Sequence, residues 1–148
     1  MANKDRASTW LNQLHAHGYR LTTPRQTVVE VVATSHRILN PAEVYGLARA
    51  RNPKIGLVTV YRTLEKLEEL GMLQRVHQPS SCQGFIATSP GHQHLLICMH
   101  CGLVEYFDGK DEKLDHLITN LAQSSGFQIQ EHWLQFFGFC ETCLHVLQ

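Results

Sequence analysis

Two cysteine pairs constrain this chain more than any other feature. Cys98-Met99-His100-Cys101 and Cys140-Glu141-Thr142-Cys143 are CxxC pairs, and a fifth cysteine, Cys82, stands alone. Each pair offers two thiolates from one tight turn, and two such turns brought together make a closed tetrahedral four-sulfur site, the usual arrangement for structural zinc. The fold must therefore carry the turn after one strand to the C-terminal part of the chain, and the binding energy of the metal then counts toward folding. A thioredoxin-like redox role would need only one pair in a different strand–helix context. Residues 1–11 have no apolar core of an export signal, and no run approaches the roughly 18 apolar residues of a membrane helix. The expected location is the cytoplasm, with no membrane partner, where thiols stay reduced and regular cysteine spacing points to metal.

The formal net charge of zero conceals a division. Residues 1–80 carry 11 Lys plus Arg against 6 Asp plus Glu, and residues 81–148 carry 2 against 7, so a half at +5 is followed by a half at −5. A basic half suits a polyanion such as DNA, and an acidic half containing several histidines suits cations. With 43% hydrophobic and 18% charged residues the chain is too apolar for disorder and should bury a core.

Periodicity supplies the elements. Trp10, Leu11 and Leu14 give a short helical stripe that ends near Gly18. Thr23-Pro24 reads as an N-cap and first helical residue for a second helix to about Ser35, and Asn40-Pro41-Ala42-Glu43 reads as a capping box for a third from Pro41 to Arg51. A fourth helix runs from Val58 to Leu70 with Val60, Leu64 and Leu67 inward, while Thr59, Arg62 and Lys66 share an outer face suited to a major groove. Glu65, Glu68 and Glu69 on the same helix oppose that reading by repelling phosphate. Residues 72–87 suggest a two-stranded wing turning at Gln78-Pro79-Ser80-Ser81. After a hinge candidate at Ser89-Pro90-Gly91, residues 94–99, 103–107 and 127–139 look strand-like and residues 114–122 helical.

Gly18 to Arg25, the run Gly56-Leu-Val-Thr-Val-Tyr-Arg-Thr-Leu64, the pair His92-Gln93-His94, Cys98 to Gly102, and Gly138 to Cys143 occur in an order that resembles the ferric uptake regulator (Fur) superfamily, most closely its zinc uptake regulators. The resemblance spans nearly the whole chain. It implies an α+β protein with a winged-helix DNA-binding domain at residues 1–88, a hinge at 89–91, and a small α/β dimerisation and metal-binding domain at 92–148. It implies a homodimer that binds AT-rich inverted repeats in double-stranded DNA, a repressor with a divalent metal as corepressor. The expected DNA-contacting residues are Arg20, Arg25, Thr59, Tyr61, Arg62 and Lys66, and the expected structural zinc ligands are Cys98, Cys101, Cys140 and Cys143.

For the regulatory metal the candidates are His77, Cys82, His92, His94, Asp115 and His132. His132 lies eight residues before Cys140, and Asp115 precedes Gly126-Phe127 at the family's spacing. Leu95-Leu96-Ile97 puts one more residue before Cys98 than the family pattern has, which reverses strand alternation unless a bulge absorbs it. Cys82 with His77, His92 and His94 would make a sulfur and imidazole site favouring zinc over ferrous iron or manganese. Within the family the alternatives are an iron-responsive or a peroxide-sensing regulator. Of other classes, a zinc enzyme would need an open coordination position and a general base, which four cysteines do not provide, and no HExxH or HxE…CxxC signature is present. A zinc-stapled protein-interaction module would leave Thr59, Arg62 and Lys66 without a role.

Overall fold

The computed structural model describes residues 2–79 and 83–147, and it separates into two compact units, Met1–Thr88 and Ser89–Gln148.

The first unit is four helices and a hairpin: α1 (Ala2–Ala16), α2 (Thr23–Thr34), α3 (Pro41–Arg51), α4 (Leu57–Glu69), β1 (Leu73–Val76) and β2 (Gly84–Ala87). α1 begins well before the stripe at Trp10, because Ala7, Trp10 and Leu14 at i, i+3 and i+7 all bury against the core. α2 is capped one residue earlier than its sequence suggests. Thr22 Oγ1 accepts the N–H of Arg25 at 3.4 Å, which leaves Thr23 as the first helical residue and Pro24 as the second, still within the turn where a missing N–H costs nothing. The capping box of α3 is present in both directions, with the Glu43 N–H donating to Asn40 Oδ1 at 2.9 Å and the Asn40 N–H to Glu43 Oε2 at 2.8 Å.

α4 turns Val60, Thr63, Leu64 and Leu67 inward against Val28, Val29, Val32 and Val44 of one continuous apolar cluster. β1 and β2 pair antiparallel from Leu73↔Ala87 to Val76↔Gly84, and Leu39 adds a bridge to Phe85, which closes a wing on the helices. The expected turn of this wing lies partly at Ser80 and Ser81, outside the described residues.

The second unit comprises β3 (Gln93–Cys98), β4 (Val104–Asp108), α5 (Glu112–Ser125), β5 (Gln135–Gly138) and α6 (Glu141–Leu147). The sheet order is β4-β3-β5, with β3 antiparallel to β4 and parallel to β5. Pairing of β3 with β4 runs unbroken from Gln93↔Asp108 to Ile97↔Val104, so no bulge absorbs the extra residue. His94 therefore shares its side of the strand with Leu96 and Cys98. The strand expected over residues 127–139 is real only at Gln135–Gly138; the preceding residues lack a ladder except at Leu134, whose carbonyl accepts the Leu95 N–H. α6 was not foreseen, since its seven residues are too few for a periodic signal. Among the described residues no helix is long and apolar enough to cross a membrane.

Candidate metal centres and nucleic-acid face

Parallel pairing of β3 with β5 places like ends of the two strands side by side. Cys98 stands opposite Gly138 at their C-terminal ends, so the knuckle from Cys98 to Cys101 and the step from β5 into α6 meet there. The sulfurs of Cys98, Cys101, Cys140 and Cys143 all lie within 4.8 Å of one another. Cys101 Sγ and Cys140 Sγ are 3.8 Å apart, which matches the edge of a tetrahedron with Zn–S bonds of about 2.3 Å. Gly102, at φ +72°, closes the first knuckle in a conformation that favours glycine.

The electrostatics of this cluster suit a cation. Burial works against ionisation of Cys98, yet the backbone N–H groups of Cys101, Cys140 and His100 outweigh it and bring its pKa from 9.0 down to about 6. Burial, followed by hydrogen bonds to Cys140, Cys101 and Cys98, pushes Cys143 up to about 12. One sulfur is thus a ready thiolate while another keeps its proton until a positive charge replaces it, as a coordinated metal does. Four converging sulfurs fit structural zinc and leave no open position.

The N-terminal ends of the same two strands carry the second cluster. His92 and His94 are two residues apart on β3's approach and first turns of pleat, and His132 precedes β5; ligand atoms of all three lie within 4.8 Å. His92 Nε2 and His132 Nε2 face each other at 2.9 Å. His94 is fully buried; its Nδ1 accepts the Leu134 N–H at 3.3 Å and its Nε2 has no partner among the described residues. Burial, then the neighbouring His92 and His132, lowers the pKa of His94 from 6.5, against a smaller raising effect of Asp108, which favours the neutral, ligating form. A buried imidazole with one nitrogen left without a partner, grouped with two further imidazoles, is an arrangement that a bound cation completes. Gly109 bears on this directly, because a Cβ there would overlap His94 Nε2. The backbone must approach the ring closely, and a glycine just past a strand is the sequence signal that would have marked it.

Asp115, in the same unit, is not part of this cluster. Asp115 is exposed in the first turn of α5, which starts at Glu112 under the cap of Asp111. His77 sits exposed just after β1 beside Gln83, in the first unit, and Cys82 lies outside the described residues.

On α4 the outward face is centred on Val58 and Arg62, one turn apart and both exposed, with Tyr61 exposed beside them. Thr59 and Lys66 lie on the flank, half-buried. Lys66 pairs with Glu69 at 2.7 Å and stands over the Tyr19 ring. Glu68 is held by Arg75 through two contacts of 2.9 and 2.7 Å, and Arg75 also reaches Gln83. Two of the three carboxylates that oppose phosphate are therefore tied to cations, and the N-terminal half of the helix is left without acidic groups. Arg20 is exposed, whereas Arg25 is half-buried and donates to the Arg20 carbonyl at 2.5 Å.

The model of the ferric uptake regulator family matches residues 16–137. The ferric uptake regulation protein of Bacillus subtilis is 33% identical over 135 residues, covering 88% of this chain and 89% of the relative. Among solved structures, the Helicobacter pylori ferric uptake regulator superposes with a TM-score of 0.71 at 20% identity, covering 97% of this chain and 95% of its own. A zinc uptake regulator in complex with zinc and DNA superposes with a TM-score of 0.67 at 22% identity, covering 99% and 98%. The two units, the parallel β3–β5 pair with its cysteine knuckles, and these matches over most of the chain lead to one conclusion: it belongs to the ferric uptake regulator family of metal-responsive, DNA-binding transcription regulators.

Proposed function

We propose that this chain is a zinc-responsive repressor, a homodimer in which zinc at His92, His94 and His132 raises affinity for AT-rich inverted repeats. The observation that carries this reading is the convergence of three imidazoles, one of them the fully buried His94 whose Nε2 is left without a partner among the described residues. Three nitrogens with no carboxylate drawn in favour zinc over manganese or ferrous iron, both by ligand type and by the general affinity order of divalent metals. Zinc at Cys98, Cys101, Cys140 and Cys143 is structural in this reading and stays bound when the regulatory metal leaves. Zinc in the histidine cluster fixes β3 against the segment before β5 and biases the dimer toward a form in which two α4 helices reach successive major grooves. Arg20, Arg25, Thr59, Tyr61, Arg62 and Lys66 supply the DNA contacts, Arg62 the most directly. Coupling of about 1–3 kcal/mol changes operator occupancy by one to two decades around a set metal concentration.

Ferrous iron is the second reading, favoured by curated relatives named ferric uptake regulation proteins over most of the chain's length. In that reading Asp115 adds an oxygen ligand, and Cys82 with His77 plays no part. The test is binding to a pool of palindromic duplexes under buffered Zn²⁺, Fe²⁺ and Mn²⁺, with the tightly held zinc left in place. Restoration by Zn²⁺ at very low free concentration supports the zinc reading. Restoration by Fe²⁺ or Mn²⁺ alone overturns it. In the same assay a Cys82→Ser variant with an unaltered zinc response assigns sensing to the histidines, and a lost response brings Cys82 and His77 into the regulatory site.

A further inference from the structure

Val58 is an anomaly on α4. It is a branched apolar residue, 62% exposed, at the centre of the helix's outward face and directly opposite Val60, Leu64 and Leu67. Leu57 at 46% and Tyr61 at 48% exposure flank it, so the first turns of α4 present a small apolar patch beside the guanidinium of Arg62. A valine here gains nothing from helix propensity, where its branched Cβ is unfavourable, and nothing from core packing. Elsewhere on this face the exposed residues are charged, at Glu65 and Glu69, as a solvated surface requires.

In the major groove the one apolar feature that distinguishes base pairs is the C5 methyl group of thymine, and docked recognition helices present their N-terminal residues to base edges. We infer that Val58, supported by Tyr61, is a specificity-determining residue that packs on a thymine methyl group in each half-site while Arg62 contacts the adjoining base edge or phosphate. This inference rests on the reading of the chain as a DNA-binding regulator and extends it to a base preference. Discrimination for thymine at that position then comes from burying a methyl group against Val58, not from a hydrogen bond, and the 5-methyl carbon is the atom read.

The test uses the full-length, metal-loaded chain. A binding duplex is selected from a random palindromic pool, and each thymine is replaced in turn by deoxyuridine, which removes only the methyl group and keeps every hydrogen-bonding atom. One position per half-site should weaken binding by about fourfold, the effect of exposing one methyl-sized group. Val58→Ala, which leaves helix and core intact, should bind the thymine duplex more weakly by about fourfold per half-site, about sixteenfold for the palindrome, and be insensitive to deoxyuridine at that position. Uniform tolerance of deoxyuridine by the wild-type chain overturns the inference, and so does a Val58→Ala variant that remains as sensitive as wild type. Failure to select any duplex under any metal overturns the DNA-binding reading itself, and this inference with it. Arg62→Ala is the contrast: it should weaken binding to thymine and deoxyuridine duplexes alike.

Discussion

The two units of this molecule keep their shapes by different means. The first buries Leu14, Val28, Val29, Val44, Val60, Leu64 and Leu67 almost completely in one cluster drawn from its own elements. The second buries few apolar residues, among them Leu95, Ile97 and Val104, while exposing Leu96, Leu117, Leu121, Phe127, Trp133, Phe136 and Phe139. A unit of that size with so small an interior requires a staple, and an apolar surface of that extent requires a partner. On the reading proposed above, the contrast is between a unit closed by its own apolar cluster and one that leans on zinc and on a second copy, which suits a protein whose output follows metal supply.

Five experiments would break or sharpen this contrast. The largest effect is expected from Cys140→Ser, or from a chelator strong enough to strip the four-sulfur site: the second unit should lose cooperative unfolding, since structural zinc contributes on the order of 10 kcal/mol. Calorimetry should still show the first unit melting unchanged; if both units melt together, they are one cooperative body and the contrast fails. Next, Leu64→Ala should cost about 2–5 kcal/mol and lower the first transition, because the cavity forms in the first unit's own apolar cluster.

Third comes the apolar face. Leu96 and Phe136 stand opposite each other in the parallel register and are half-exposed. Phe136→Glu should weaken the dimer by about 100-fold in sedimentation or light scattering, in line with loss of an aromatic anchor, and leave the zinc content of the four-sulfur site unchanged. A dimer untouched by that change would put the interface elsewhere. Gly109→Ala should lower affinity at the histidine cluster by about tenfold through displacement of His94, with the structural zinc again intact. Trp133 lines the same cleft as His92 and His132, so its fluorescence offers a readout independent of DNA.

The smallest effect is the pH response. The folded-state pKa of His94 lies below 6.5, so the unfolded chain takes up a proton near that value that the folded chain refuses. Stability of the second unit should therefore be full above pH 6.5 and decline as pH falls below it. Among the described residues of the first unit no histidine is buried, and denaturant titrations between pH 7.5 and about 5.5 check the slope expected of the second; no decline there would remove this effect.

Local physics decided what could be read from the sequence. The capping box at Asn40 and Glu43, the amphipathic α4 and the two CxxC knuckles depend on residues within a few positions of one another, and each stands where its pattern placed it. The cap of α2 moved from Thr23 to Thr22 because both are threonines and only backbone geometry chooses between them. The grouping of His92 and His94 with His132 was not legible, since it depends on β3 and β5 being parallel neighbours with Leu95 opposite Gln135. The sequence pattern suggested Cys82 and His77 as their companions, a choice of soft donors made without knowledge of that register. Gly109 escaped notice for the same reason: its importance lies in a ring 15 positions away that only the antiparallel β3–β4 pairing brings over it.

The β3–β5 pair has one more consequence. Both clusters draw one set of ligands from the β3 side and the other from the β5 side, and the contacts they make span 39 and 40 residues. In a chain not yet folded, either metal would have to close a loop of about 40 residues, at a chain-entropy cost of about 3 kcal/mol. The loops are nearly the same loop. In such an unfolded chain, and on the reading proposed above, the first metal bound at either cluster meets most of that cost for the other, so occupancy of one favours occupancy of the other without any contact between the ions. Each cluster is then an entropic partner of the other, and the coupling is reciprocal: loading at the sulfurs favours loading at the imidazoles to the same degree as the reverse.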